Sequence, residues 1–233
     1  MKRILLVLAL LGGVSALSFS LEAGGGISVF VPESLYLNKQ GSVSVETNFQ
    51  YALGLSKFLS FPIGVSYNKI YGYRPGGDAS LDAVTNPWFF GDSIMGYVMA
   101  KIHLPVSIFY LDLFGGGAGN WNVTLTPVGQ NIESYLATQA GVGNVAISSL
   151  SYSAPVGYGW VAGAGFGVSI KKIRVDITGT YRDVRSPLTM TADYYKVDSS
   201  GATPIATKTS TPLSSAALVM RGFSVGVNGH FSF

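Results

Sequence analysis

The sequence contains no cysteine and has few charged residues for its length. Only 12% of its 233 residues are Asp, Glu, Lys or Arg, whereas a typical soluble domain has about a quarter. The absence of cysteine excludes a disulfide framework and a lipid-modified cysteine. The scarcity of charge argues against a surface that faces water on all sides.

Long hydrophobic runs are also missing. The run "ILLVLALL" at residues 4–11 follows Lys2 and Arg3 and precedes the small residues "VSA" at 14–16. This order predicts a cleaved secretory signal peptide over residues 1–16, followed by one mature domain over 17–233. A membrane-anchoring helix would need about 20 apolar residues. Cleavage lowers the formal net charge from +3 to +1, because the segment carries two bases and no acid; no nucleic-acid partner is indicated.

What the sequence has instead is alternation. In "GFSVGVNGHFSF" at 222–233, large apolar side chains alternate with small or polar ones, which is typical of a β-strand with two different faces. The same period of two predicts eight strands, at about 21–31, 43–55, 61–71, 94–103, 107–118, 156–170, 173–182 and 222–233. The mature chain is therefore predicted to be all-β.

The connections between these strands alternate between long and short, with a tight turn expected at Pro105. This order predicts an eight-stranded antiparallel up-and-down transmembrane β-barrel, with short periplasmic turns and long extracellular loops. Strands of about ten residues are long enough to cross a bilayer. In lipid the sheet must close on itself, because an open edge would leave backbone groups without hydrogen-bond partners.

A soluble lipocalin-type barrel or β-sandwich is the alternative all-β architecture. In those folds the polar face of each strand points toward water. Here the charged and amide residues on that face number only one or two per strand. They are too sparse to cover an exterior, and they fit a confined lumen better.

Three features together carry a family resemblance: the signal peptide, four strand pairs with three short turns, and the terminal segment "FSVGVNGHFSF". The chain resembles the small eight-stranded outer-membrane proteins of Gram-negative-type bacteria, the OmpA-barrel, OmpX and OmpW group. It resembles the OmpW type slightly more than the OmpX type, because several apolar side chains are expected in the lumen. The resemblance implies an integral outer-membrane protein whose loops face the extracellular side. It also implies that the barrel-assembly machinery reads the last strand through Phe223, Val225, Val227, Phe231 and Phe233.

Charged residues on inward faces form the first candidate site. They are Glu22, Glu46, Lys101, Asp112, Arg174, Asp176 and Arg182. An unpaired charge in a narrow barrel is costly, so ion pairs are expected. A turn at Pro105 would place Lys101 opposite Tyr110 and diagonal to Asp112. The set could act as a selectivity filter, or it could fill the lumen as a plug, which we favour because eight strands leave little room.

An inward apolar band is the second candidate site, formed by Met95, Tyr97, Met99, Tyr110 and Phe114. It could line a passage for a hydrophobic ligand, as the OmpW resemblance implies. The simpler interpretation is packing against a glycine-lined wall, where inward glycines at 157, 159, 163, 165 and 167 leave room for large side chains of the opposite wall.

The two long outer loops predicted near the C-terminal half differ in composition. The loop at 119–155 has Glu133 as its only charge and could form a short helical turn; it could cover the mouth or contact a partner. The loop at 183–217 is rich in Thr and Ser and is expected to be flexible. Aromatic residues at strand ends, including Trp88, Trp121 and Trp160, are expected to form membrane girdles.

No enzymatic chemistry is predicted. His103 and His230 are both expected at the periplasmic end, and no Ser-His-Asp set is visible at one level of the barrel. No catalytic, cofactor-binding or metal-binding residue is assigned, and no cofactor is expected. The expected partners are outer-membrane lipid, the barrel-assembly machinery, and a surface ligand or small solute.

The functional prediction is an outer-membrane β-barrel with a mostly side-chain-filled lumen. Its role would be surface interaction, adhesion or membrane integrity. The alternative is a narrow passage for small, including hydrophobic, solutes.

Overall fold

A computed structural model describes residues 20–32, 44–73, 87–198 and 205–233. The predicted signal peptide at 1–16 lies outside the described residues. Strands dominate the described chain, and they are β1 (Ser20–Pro32), β2 (Ser44–Gly54), β3 (Leu59–Tyr73), β4 (Phe89–Val106), β5 (Phe109–Pro127), β6 (Asn144–Ser153), β7 (Gly157–Ile170), β8 (Ile173–Asp198) and β9 (Ile205–Ser232). One helix, α1 (Gly129–Ala140), lies between β5 and β6. Within the described chain, no helix is both long and apolar enough to cross a membrane.

Eight of the strands form a ring in the order β1-β2-β3-β4-β5-β7-β8-β9, and every pairing is antiparallel. The ring closes where β9 pairs with β1 on one side and β8 on the other, so that Val227 lies opposite both Ile27 and Ile177. The predicted antiparallel ring of eight strands is therefore confirmed. It arises because every strand carries a period-two pattern with two different faces.

The short turns of the ring differ from the prediction at one place. Pro105 lies within β4, and the turn between β4 and β5 consists of Ser107 and Ile108. Ser107 has a φ of 61°, the left-handed conformation that two-residue hairpin turns require. Lys101 therefore lies opposite Phe114 rather than Tyr110, while Asp112 remains its diagonal neighbour.

The segments predicted as two long outer loops contain regular structure. β5 continues to Pro127, α1 follows, and β6 pairs along the outer part of β8. β8 and β9 stay paired from Ile173 opposite Phe231 to Asp198 opposite Ile205. The prediction of a flexible loop at 183–217 was wrong for residues 183–198 and 205–217, because these form a continuing strand pair; residues 199–204 lie outside the described residues.

A hydrophobic core lies at the end of the ring away from the three short turns. It is formed mainly by α1, β6 and the outer ends of β8 and β9, and we call these elements together the cap. Ile132 and Leu136 of α1 are fully buried against a cluster of apolar side chains. The other buried members are Trp88, Phe89, Val145, Leu188, Met190, Ala192, Tyr194, Leu213 and Leu218. Helix α1 ends at Gly141, whose φ of 63° is a left-handed C-terminal cap.

The two faces of the ring strands have opposite character. Outward positions carry large exposed apolar side chains, and the five residues predicted as an assembly signal on β9 are among them: Phe223, Val225, Val227, Phe231 and Phe233. Inward positions carry the buried polar residues. The predicted girdle residues Trp121 and Trp160 are exposed, but Trp88 is 4% exposed because it packs against Tyr135 in the cap.

Candidate functional site

The interior of the ring, which we call the lumen, holds the candidate site. The structure places all seven charged residues predicted for the lumen on inward faces. Six of them are at most 6% exposed, and the side chain of Arg174 is 17% exposed. They reach these positions because each lies two residues, or a multiple of two, from other inward residues of its strand.

At the short-turn end, ion pairs join β1, β4, β5 and β8. Lys101 Nζ lies 3.4 Å from Asp112 Oδ2, and His103 Nδ1 lies 2.6 Å from Asp112 Oδ1. Arg174 pairs with Glu22, and its guanidinium also lies 3.3 Å from His103. Because β8 and β4 are three strands apart in the ring, the contact between Arg174 and His103 crosses the lumen.

Asp176 is the centre of a second group of hydrogen bonds. It accepts from the Tyr110 hydroxyl at 3.0 Å and from the Asn228 amide at 2.9 Å, and it lies 3.0 Å from His230 Nε2. His230 in turn contacts Gln50 at 3.2 Å. A carboxylate with several partners is stabilised in its charged form, which is the condition for burying it.

Nearer the cap, Arg182 crosses the lumen. It pairs with Glu46 of β2 and donates a hydrogen bond to Asn68 Oδ1 of β3 at 3.3 Å. Its guanidinium carbon also lies 3.8 Å from the centre of the Phe30 ring, within the range of a cation–π contact. The Glu46 carboxylate accepts a further hydrogen bond from Ser28 at 3.1 Å. Arg182 is therefore in contact with groups from three other strands.

The predicted apolar band divides into two parts. Met95 and Met99 are buried together with Ala118, Val161, Val184 and Met220, and Tyr97 and Phe114 pack against them. Tyr110 is separate from this cluster, because its hydroxyl is directed to Asp176.

The glycines of β7 make room for neighbours rather than for the opposite wall. A Cβ atom at Gly163 would lie 2.7 Å from the Phe114 ring, and one at Gly167 would lie 2.8 Å from the Tyr110 ring. Both aromatic residues are the direct cross-strand partners of these glycines on β5. Phe114 and Tyr110 therefore lie over glycine on the adjacent strand.

A cavity of about 80 Å³ lies in the lumen between the Arg174–His103 contact and the contacts of Arg182. Its lining combines paired charges such as Lys101 and Arg182 with amides such as Asn48 and with the apolar wall of Met95 and Met99. A cavity needs a volume of about 10–15 Å³ to hold one buried water molecule. The cavity therefore has room for a few waters and is smaller than a typical ligand pocket.

Sequence reasoning missed one arrangement. Ser60 Oγ lies 2.9 Å from His103 Nε2, and His103 Nδ1 contacts Asp112, which is the connectivity of a Ser-His-Asp triad. The two-residue turn after Val106 brings Asp112 opposite His103, and a turn at Pro105 would not. Ser60 is only 3% exposed, and Asp112 is already paired with Lys101. These three residues therefore belong to the ion-pair network of the lumen.

No cluster of three metal-ligating side chains occurs in the described chain.

Comparison with known proteins gives structural matches alone. No family model matches the sequence, and no curated protein matches it. The outer membrane protein OprG from Pseudomonas aeruginosa is similar in structure, with a TM-score of 0.54, 9% identity, and coverage of 93% of this chain and 96% of OprG. The N-terminal β-barrel domain of Pseudomonas aeruginosa OprF matches with a TM-score of 0.43, 8% identity, and coverage of 93% and 100%. Ail of Yersinia pestis matches with a TM-score of 0.40, 9% identity, and coverage of 92% and 97%.

The match to OprG identifies the fold. It extends over nearly the whole of both chains. The chain therefore has the fold of the small outer-membrane β-barrel proteins, the OmpA-, OmpX- and OmpW-like group. At 9% identity the match concerns the fold only.

Proposed function

We propose that the protein is an integral outer-membrane β-barrel whose lumen is closed, and that it acts through its outer end in surface interaction or in membrane integrity. We propose no enzymatic activity. The proposed membrane location rests on the outward face of the ring, and the proposed role rests on the side chains that fill the lumen.

The outward face of the ring carries a belt without charge. On β8, outward residues are uncharged from Ile173 until Asp183. Ten residues of strand span about 33 Å, and a tilt of 35–45° reduces this to a height of about 25 Å, which is the apolar height of outer-membrane barrels. Among described residues, the outward charges of the ring lie at its two ends. Lys57, Lys171 and Lys172 lie in the turns, and Lys69, Asp92, Asp183, Arg185 and Arg221 lie at the other end.

The lumen is crossed twice by side chains, by the partly buried Arg174 and by the buried Arg182, and this observation carries the functional proposal. Arg174 meets His103 at the short-turn end, and Arg182 meets Asn68 nearer the cap. The cap then adds an apolar core beyond Arg182. A hydrated solute would have to displace the side chains at both crossings, including the buried pair of Arg182 with Glu46, in order to pass.

The orientation follows the rule for bacterial outer-membrane barrels, in which short turns face the periplasm and larger elements face outward. The cap would then be the extracellular part. Its outer surface, including the exposed Thr and Ser residues of β8 and β9, would contact a partner, while its buried face closes the barrel.

Planar-bilayer recording of the purified protein tests the closed lumen. We expect no discrete conductance from the wild-type protein. Binding of intact cells that display the protein to a host or environmental surface, lost when α1 and β6 are replaced by a short turn, would support the interaction role. Stepwise conductance from the wild-type protein would contradict the proposal.

A narrow passage is the second candidate, and the cavity of about 80 Å³ beside Met95 and Met99 is the observation that favours it. In that case the Arg174 and Arg182 levels would be gates. The wild-type protein would then conduct, and Lys101→Ala or Arg182→Ala would change the size or selectivity of the steps.

A further inference from the structure

His103 lies between a carboxylate and a guanidinium at the short-turn end of the lumen. Its Nδ1 atom is 2.6 Å from Asp112 Oδ1 and 3.3 Å from Arg174 Nη1, and its Nε2 atom is 2.9 Å from Ser60 Oγ. A carboxylate only accepts hydrogen bonds, so Nδ1 carries a proton and donates to Asp112. Arg174 therefore faces an N–H group, and its contact with His103 across the lumen contains no hydrogen bond.

A second proton on His103 would act on the contact with Arg174 and on no other contact of the ring. In the neutral ring, Nε2 accepts a hydrogen bond from the Ser60 hydroxyl; in the imidazolium, Nε2 donates one to the same oxygen. The hydrogen bond to Asp112 persists in both states. The imidazolium would, however, lie 3.3 Å from a guanidinium, and two like charges at that distance repel each other. Histidine is the side chain that ordinarily changes charge between about pH 5 and pH 8.

The charges around His103 favour the uptake of a proton. Inward faces of the described chain carry three bases and four acids, so the net charge of the lumen is −1 while both histidines are neutral. The titratable and charged groups at the short-turn end are Lys101 on β4, Tyr110 and Asp112 on β5, Arg174 and Asp176 on β8, Glu22 on β1 and His230 on β9. His230 contacts Asp176 and Gln50, so a proton on His230 would not repel Arg174 directly.

Arg174 can leave His103 without losing its ion pair. It is the most exposed of the three inward bases, with 17% of its side chain exposed. Its other partners are the Glu22 carboxylate on β1 and the Tyr110 ring, whose centre lies 5.4 Å from the guanidinium carbon. Rotation of the guanidinium about Glu22 would therefore open the short-turn end and leave neither charge unpaired.

We propose that the short-turn end of the lumen is a pH-sensitive gate, in which protonation of His103 displaces Arg174 and opens the cavity of about 80 Å³ to the periplasm. The contacts of Arg182 and the apolar core of the cap keep the other end closed. Acid therefore exposes the cavity from one side and does not create a channel. This inference rests on the closed lumen of the proposed function.

A thiol in the cavity tests the gate. Ser224 is buried and lines the cavity, and Ser224→Cys introduces the only cysteine of the chain. Its rate of modification by a small water-soluble methanethiosulfonate is measured in detergent micelles at about pH 7.5 and about pH 5.5. Each rate is divided by the rate for Lys57→Cys in an exposed turn at the same pH, because acid lowers the thiolate fraction at both sites. We expect this ratio to rise about tenfold or more at the lower pH.

Three variants in the Ser224→Cys background assign the change to the contact between His103 and Arg174. His103→Gln cannot gain a charge, and the ratio should stay low at both pH values. His230→Gln is the matched control, which removes the other histidine and should keep the rise. Arg174→Gln removes the guanidinium, so the ratio should be high at both pH values. An equal rise in His103→Gln, or an unchanged rise in Arg174→Gln, would overturn the inference.

The same measurement distinguishes failure of the gate from failure of the proposed function. A low ratio at both pH values in the protein with His103 and Arg174 intact would overturn the gate and leave the closed lumen standing. A high ratio at both pH values would contradict the closed lumen, and the gate with it.

Discussion

The Arg182 guanidinium on β8 donates a hydrogen bond to Asn68 Oδ1 on β3, at 3.3 Å, from the far side of the ring. β8 and β3 are four strands apart in an eight-strand ring, so the bond spans its full width. Because both residues are at most 2% exposed, this bond marks a level at which buried side chains from opposite walls meet inside the lumen.

Removal of the Arg182 side chain should destabilise the barrel strongly. Arg182→Ala leaves the Glu46 carboxylate buried without its ion-pair partner, and we expect a loss of about 3–5 kcal/mol in the free energy of unfolding. Urea unfolding of the protein in detergent micelles would measure it. Arg182→Met combined with Glu46→Gln should lose less, because no buried charge remains. The exposed Arg185→Ala is the control and should change little; an equal effect from both single variants would contradict the account.

The glycine under Phe114 should not tolerate a side chain. In Gly163→Ala, the new Cβ atom would meet the Phe114 ring at 2.7 Å and the Gly179 carbonyl at 2.4 Å. Overpacking of this kind costs about 1–3 kcal/mol. Gly179→Ala is the matched control, since nothing lies within 4 Å of its added Cβ atom. Comparison of the urea midpoints of the two variants checks the prediction. Similar midpoints would show that Phe114 can move away from position 163 at little cost.

The cap should unfold without the ring when its core is weakened. Leu136 of α1 is 2% exposed, and Leu136→Ala should cost about 2–5 kcal/mol. Limited proteolysis should then cut near α1, while the unheated protein still migrates as a folded barrel on a gel. Gln139→Ala changes an exposed residue of the same helix and should remain resistant. Loss of the barrel mobility in Leu136→Ala would mean that the cap and ring fold as one unit.

The cap should also respond to acid through Asp193. Hydrogen bonds from Ser210 and Ser149 hold the pKa of Asp193 below its ordinary value of 3.8. A depressed pKa means that the carboxylate stabilises the folded cap above pH 3.8, and that this contribution disappears as the pH falls through the lower, folded-state pKa. Protection of the β6 amides against hydrogen exchange, taken relative to the intrinsic exchange rate at each pH, should therefore decrease in that acidic window for the wild type. In Asp193→Asn the acid-induced change should be smaller; an identical change in both proteins would assign it to other groups.

The eight ring strands and the inward position of their charges could be predicted from the sequence, because a period of two fixes the face of every residue once one face is apolar. The cap was missed although Leu188, Met190, Ala192 and Tyr194 continue the same alternation. Their outward neighbours are Thr, Asp and Tyr, so the segment lacks the apolar outward face by which the other strands were recognised.

Apart from the pair of Lys101 and Asp112 on neighbouring strands, the partners inside the lumen could not be predicted from local patterns. The pairing of Arg182 with Glu46 and Asn68 depends on the stagger of strands that are far apart in sequence. The position of a turn also matters: the turn between β4 and β5 lies at Ser107 and Ile108 rather than at Pro105, so Tyr110 lies opposite Pro105 and not opposite Lys101. Such long-range register is set by the closed ring as a whole.

The central claim is that the outward belt faces lipid while the lumen is filled, and the absence of cysteine from the chain makes it directly measurable. A single cysteine placed at Val227, Asn228 or Lys196 would carry a spin label in the protein reconstituted in lipid vesicles. The account predicts that the label at Val227 collides with oxygen but not with a water-soluble nickel chelate, that the label at Asn228 collides weakly with both, and that the label at Lys196 collides with the chelate. Ready collision of the Val227 label with the nickel chelate would contradict it.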